Sequence, residues 1–217
     1  MTGALAAGLH DGMAQLGLTL SGSQIGQLLD YLDLIQKWNK VYNLTAVREP
    51  AQMLTHHLLD SLAVLEPLRR QTQGRPAQLL DVGSGAGLPG VVIAICCPEI
   101  SVHCVDAVAK KAAFVQQVAV ALKLNNLRGV HARVENQTGP YDIISSRAFA
   151  SLADFVRGSE AALAVQGVWM ALKGRRPDEE IAALPAWADV FHVEQLKIPR
   201  LEAQRCIVWL RKASAVT

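Results

Sequence analysis

Leu79-Leu80-Asp81-Val82-Gly83-Ser84-Gly85-Ala86-Gly87-Leu88-Pro89-Gly90 is the stretch on which the fold turns. It begins as a short apolar strand and turns on alternating glycines. It then enters Leu88 to Cys97, a run apolar on every side, as expected of a helix buried between a sheet and another layer. Glycines let the backbone take positive φ and approach a ligand closely. The helix that follows presents free N–H groups and a positive dipole end. Gly85, Gly87 and Gly90 also satisfy the pattern G-x-G-x-x-G, which by itself is a weak signal and needs context.

Outward from that loop, strands and helices alternate. Gln78 to Val82, Ser101 to Asp106, Leu127 to Ala132, Tyr141 to Ser146 and Val168 to Leu172 read as strands. Val108 to Leu122, Ser151 to Leu163 and Pro177 to Trp187 read as helices. Val190 to Ile198 and Cys206 to Leu210 read as a closing antiparallel pair. The alternation predicts an α/β fold with a doubly wound, mostly parallel, seven-stranded Rossmann-like sheet. Before Pro76 the texture is helical. Ser21 and Ser23 are candidate N-caps, and Ile25, Leu28, Leu29, Leu32 and Ile35 recur at helical spacing. Asn39 to Asn43 should end that helix. A second helix is expected from Pro50, with Leu54, Leu58, Leu62 and Leu65 on one face. Residues 1–76 are therefore expected to form a helical extension packed on a core of residues 77–217, the two making one compact unit.

Bulk properties narrow the class. With 217 residues, 51% of them hydrophobic, the chain can bury a sizeable core. A net charge of +2 is too small for a nonspecific nucleic-acid glue, so any nucleic-acid contact must rest on a local patch. Cys96, Cys97, Cys104 and Cys206 form no Cys-x-x-Cys pair and read as buried thiols in a reduced, cytoplasmic setting. Met1 to Gly17 lacks the pattern of a signal peptide, and no stretch is long and apolar enough for a membrane span. Neither a metal site nor a membrane partner is expected, and the chain is expected to be a monomer.

The context of the loop favours S-adenosylmethionine over a dinucleotide. Asp81, just before the glycines, offers a carboxylate to the cationic amino-acid end of that cofactor. Asp106 ends the next strand, where an acid can accept both ribose hydroxyls. The chain after the sheet is too short for the substrate domain of a dehydrogenase. Gly85 and Asp106 are thus expected cofactor contacts.

Further motifs are more distinctive together than alone. They are Trp38-Asn39-Lys40-Val41-Tyr42-Asn43-Leu44-Thr45-Ala46-Val47-Arg48, His57-Leu58-Leu59-Asp60-Ser61, the Leu88-Pro89-Gly90 end of the loop, Ser145-Ser146-Arg147-Ala148-Phe149-Ala150-Ser151-Leu152, and Ala171-Leu172-Lys173-Gly174. In this order, over about Leu28 to Leu210, the chain resembles the RsmG family, formerly glucose-inhibited division protein B. The resemblance implies a class I S-adenosylmethionine-dependent methyltransferase acting on guanine N7 in 16S rRNA, alone or in the small ribosomal subunit. It implies cofactor contacts at Gly83, Leu88, Val134, Glu135 and Arg147. Small departures are Ser84 and Ala86 in the loop, where relatives often carry Thr and Pro, and His56, where Arg is common.

The chemistry needs no catalytic base. Guanine N7 already holds a lone pair, so alignment with the methyl group is the enzyme's task. The sequence lacks the Asp/Asn-Pro-Pro-aromatic motif of amino-group methyltransferases and the Pro-Cys nucleophile of cytosine-C5 enzymes. Arg133, Arg147, Lys173 and Arg205 are the candidate RNA contacts. Arg147 alternatively forms a salt bridge with Glu135. His57 reads as a buried, hydrogen-bonded histidine with Asp60 as partner, and Trp38 and Tyr42 as packing between helices and sheet. A methyltransferase for a small molecule or a protein, a NAD-binding module and a non-catalytic RNA-binding protein remain the alternatives.

Overall fold

The computed structural model describes residues 2–147, 149 and 151–213, so Ala148 and Ala150 of the fourth motif lie outside the described residues. Seven strands form one sheet: β1 (Ala77–Val82), β2 (Ile100–Asp106), β3 (Leu127–His131), β4 (Tyr141–Arg147), β5 (Leu163–Lys173), β6 (Ala188–Leu196) and β7 (Arg205–Lys212). Their order is β3-β2-β1-β4-β5-β7-β6. The first five pair in parallel, and β7 inserts antiparallel between β5 and β6. The connection order reverses between β1 and β4, and ligands of doubly wound sheets bind beyond the strand carboxyl ends at such a point.

Helices cover both faces. α1 (Thr2–Gln15) and α2 (Gly22–Tyr42) belong to the N-terminal part. Ser21 is the N-cap of α2 and forms a capping box with Gln24, so Ser21 rather than Ser23 starts the helix. Asn43 ends it in the left-handed conformation, as its position predicts. α6 (Gly90–Cys96) follows the glycine loop and is buried along its whole length. α7 (Ala109–Ala121) follows β2, and α8 (Leu152–Ser159) follows β4. One buried cluster runs from Leu9, Leu28 and Leu32 through Leu58 and Leu62 to Val91, Phe114 and Met170. The N-terminal helices and one face of the sheet therefore share a core. A second cluster around Leu80, Phe155, Trp169 and Val208 fills the other face.

Three expectations change. The helix expected from Pro50 is a short α3 (Pro50–Met53), a π-helical turn (Leu54–Leu59), α4 (Asp60–Leu62) and, after a turn, α5 (Leu65–Thr72). The four leucines are all buried regardless. The helix expected over Pro177 to Trp187 is only α9 (Asp178–Ala182), because Pro185 cannot continue it. Trp38 packs edge-on against Phe114, but Tyr42 leans on Trp38 and stays 42% exposed, so it is not interior packing. Among the described residues, no helix is long and apolar enough to cross a membrane.

Candidate active site

The glycine loop is built as the sequence requires. Gly83 and Gly85 have φ of 63° and 59°, and a Cβ at either would meet nothing within 4 Å. They combine a backbone twist that L side chains resist with open space for a ligand. Gly87 shares the positive φ, at 88°, and with Gly90 it has a second reason to be glycine. A Cβ at Gly87 would press on Val91, and one at Gly90 on Cys104 and Asp81. The second pair thus serves close packing behind the loop. Leu88 is likewise buried in the core.

Asp106 steadies this loop from the end of β2. Its Oδ2 accepts the Gly85 N–H at 3.0 Å and its Oδ1 the Val108 N–H at 2.9 Å. A cavity of about 200 Å³ opens beside it, lined by Gly83, Asp106, Arg133, Val134, Glu135 and Phe149 among others. Gly83, Asp106, Val134 and Glu135 therefore meet as expected, and Gly85 joins them through its bond to Asp106. Glycines facing free space, a carboxylate at the strand end and an apolar wall fit S-adenosylmethionine. Asp106 and Glu135 would take the ribose, and Val134 and Phe149 would pack against the adenine.

Asp81 is a correction. It does not face the cavity: it is fully buried, with Oδ1 accepting from Ser145 Oγ at 2.8 Å and Oδ2 from Gly90 N–H at 3.0 Å. Its carboxylate ties the start of α6 to β4 beneath the loop. Burial, partly offset by these two hydrogen bonds, raises its pKa to about 6.

A second and larger pocket, about 580 Å³, opens on the same edge of the sheet. Thr45, Gln52, His56, His57, Asp60, Arg147, Lys173 and Arg205 are among its lining residues. Arg147, at the end of β4, donates to Asp60 Oδ2 at 3.0 Å and to the His56 carbonyl at 2.9 Å. Arg205, at the start of β7, donates from Nε to Asp60 Oδ1 at 3.0 Å. Asp60 is 4% exposed, so one buried carboxylate holds both guanidinium groups. The expected pairing of Arg147 with Glu135 is thereby corrected: its carboxylate partner is Asp60, which directly follows the π-helical turn. Asp60 is in turn not the partner of His57. Both ring nitrogens of His57 are buried with no hydrogen-bond partner among the described residues. Burial, with the nearby Arg147 charge second, lowers the His57 pKa to about 4.

The remaining candidates divide. Lys173 lines the second pocket but is ion-paired with Glu180 at 2.7 Å. Arg133 is exposed at the rim of the first cavity. One positioning residue was missed. Tyr31 of α2 is fully buried and donates to the Ala86 carbonyl at 2.6 Å, joining the N-terminal helix to the glycine loop. Its signal was available as a hydroxyl on the apolar Leu28, Leu32, Ile35 face, where burial demands a hydrogen-bond partner.

Comparison with known proteins agrees with this geometry. The family model for rRNA small subunit methyltransferase G (GidB) matches residues 24–208. A protein of Albidiferax ferrireducens named ribosomal RNA small subunit methyltransferase G is 66% identical over 216 residues, covering 95% of this chain and 96% of its own. One of the same name from Polaromonas sp. is 65% identical over 211 residues, with 95% and 93% covered. Among solved structures, TrmN from Thermus thermophilus matches with a TM-score of 0.58 at 22% identity, over 74% of this chain and 53% of its own. A SAM-dependent methyltransferase from Aquifex aeolicus gives 0.54 at 14% identity, over 76% and 99%. At those identities the structural likeness speaks for the fold alone, a class I methyltransferase.

Proposed function

The chain belongs to the rRNA small subunit methyltransferase G family, and on that premise we propose that it moves the methyl group of S-adenosylmethionine to N7 of one guanine in small-subunit (16S) rRNA. The observation that carries this reading is the pairing of two cavities on the carboxyl edge of one sheet: a glycine-cradled one and a larger polar one. The first suits a nucleoside-bearing methyl donor and the second an unstacked base.

When bound, the donor supplies an electrophilic methyl group on a cationic sulfur. The protein's residues supply position and field. Gly83 and Gly85 let backbone approach the ligand, and Asp106 fixes the loop that they form. N7 attacks with its own lone pair, so no side chain has to remove a proton first. Positive charge then moves onto the purine, which nearby cations oppose. Asp60 answers this by sharing its charge between Arg147 and Arg205.

Arg133, Arg147, Lys173 and Arg205 are the residues we assign to RNA, with Arg147 and Arg205 placed as a held pair rather than as free charges. The enzyme would act in the cytoplasm, on 16S rRNA or the small ribosomal subunit. The test is transfer of labelled methyl from S-adenosylmethionine to small-subunit RNA lacking the modification, followed by nuclease digestion. Labelled 7-methylguanosine is expected. Its absence from a protein that binds S-adenosylmethionine would overturn the assignment.

A further inference from the structure

The π-helical turn Leu54–Leu59 places two unusual features in the second pocket. A π turn shifts the helical hydrogen-bond phase, and such turns gather at functional sites. Here the His56 carbonyl accepts from Arg147, outside the helix. Beside it, His57 is 3% exposed and lines the pocket, yet neither ring nitrogen is hydrogen-bonded among the described residues. A buried polar group without a partner costs about 1–3 kcal/mol, so a fold gains nothing by keeping one for packing alone.

We propose that this pocket receives the acceptor guanine and that the His57 ring, whose nitrogens are covered in the unbound protein, turns toward the base and accepts a hydrogen from its Watson–Crick edge. The inference rests on the N7 reading above. N7 must face the methyl donor, which leaves the opposite edge, with its N1–H and N2 amino hydrogens, to the protein. An imidazole nitrogen carrying a lone pair accepts such a hydrogen, whereas adenine has none at N1. Proteins that recognise single-stranded RNA bases commonly read that edge. The low basicity of His57 keeps it neutral at pH 7, so it adds no cation beside a purine that is becoming positive. His57 is then a specificity-determining residue, with Asp60 a positioning residue acting through Arg147 and Arg205.

The test compares His57→Phe and His57→Gln with the wild type in three measurements: thermal midpoint, S-adenosylmethionine Kd and kcat/KM for methyl transfer to small-subunit particles. Phe keeps a flat ring and removes the unpartnered nitrogens. His57→Phe is expected to melt at or above the wild type, to bind S-adenosylmethionine unchanged and to lose at least tenfold in kcat/KM. His57→Gln, which retains a carbonyl acceptor, is expected to keep more transfer than His57→Phe. Unchanged transfer in His57→Phe would overturn the proposal. So would a joint loss of stability and cofactor binding, because the imidazole would then be structural. A Gln variant no better than Phe would count against the hydrogen bond. Product identity is read separately on the wild type. A methylated base other than 7-methylguanosine there would sink the N7 reading, while the His57→Phe comparison would still report on the pocket.

Discussion

Asp81 and His57 are two buried titratable side chains whose burial works on stability in opposite directions. The folded pKa of Asp81, about 6, lies above its ordinary 3.8. Its contribution is complete below about pH 4 and is lost as the pH rises through 6. The folded pKa of His57, about 4, lies below its ordinary 6.5. Its contribution is complete above about pH 6.5 and is lost as the pH falls to 4. Between those limits the two slopes offset each other. Asp81→Asn removes one of them, so that variant should lose roughly 3 kcal/mol more than the wild type on acidification from pH 6.5 to 4. Urea unfolding at several pH values checks this, and parallel profiles would refute it. At this scale the sequence was readable where a residue type answers a backbone demand. Gly83, Gly85 and Asp106 stand where they were expected. Asp81 was misplaced because a carboxylate at a strand end reads the same whether it turns toward a ligand or toward the start of α6.

The elements of the sheet were legible because period and punctuation carry them: each of the seven strands was expected within a few residues of its place, except that β5 begins earlier, at Leu163. The π-helical turn was not legible. Adding one residue to a helical turn leaves the leucine stripe nearly intact, so Leu54, Leu58 and Leu62 are buried either way. The partner of Arg147 was missed with it, since Asp60 stands directly after the turn and pairs with Arg147 across to β4. The tie between α2 and the loop also escaped, because a tyrosine on an apolar helix face normally means packing. Tyr31→Phe leaves the Ala86 carbonyl unpaired. It should lower the unfolding free energy by about 1–2 kcal/mol and weaken S-adenosylmethionine binding severalfold. Denaturant titration and calorimetry measure the two effects. A change in stability with no change in Kd would mean that the helix does not set the loop.

Across the whole molecule, most basic candidates are already partnered. Arg147 and Arg205 share Asp60, and Lys173 holds Glu180. With a net charge of +2, RNA binding should rest on few phosphates and show a shallow salt dependence. Arg133 is exposed at the cofactor rim, and Arg133→Ala should reduce the slope of log affinity against log salt by about one. Filter binding across a salt series reads that slope, and no change would remove Arg133 from the interface. The central claim is that the protein methylates guanine N7, with the donor in one cavity and the base in the other. A guanine methylated at N7 can be reduced and its strand then cleaved by aniline, so the modified nucleotide is found directly. Small-subunit RNA treated with the protein and S-adenosylmethionine should show one new cleavage, absent without the donor. Incorporation of labelled methyl with no new cleavage would place the methyl on another atom and contradict the account.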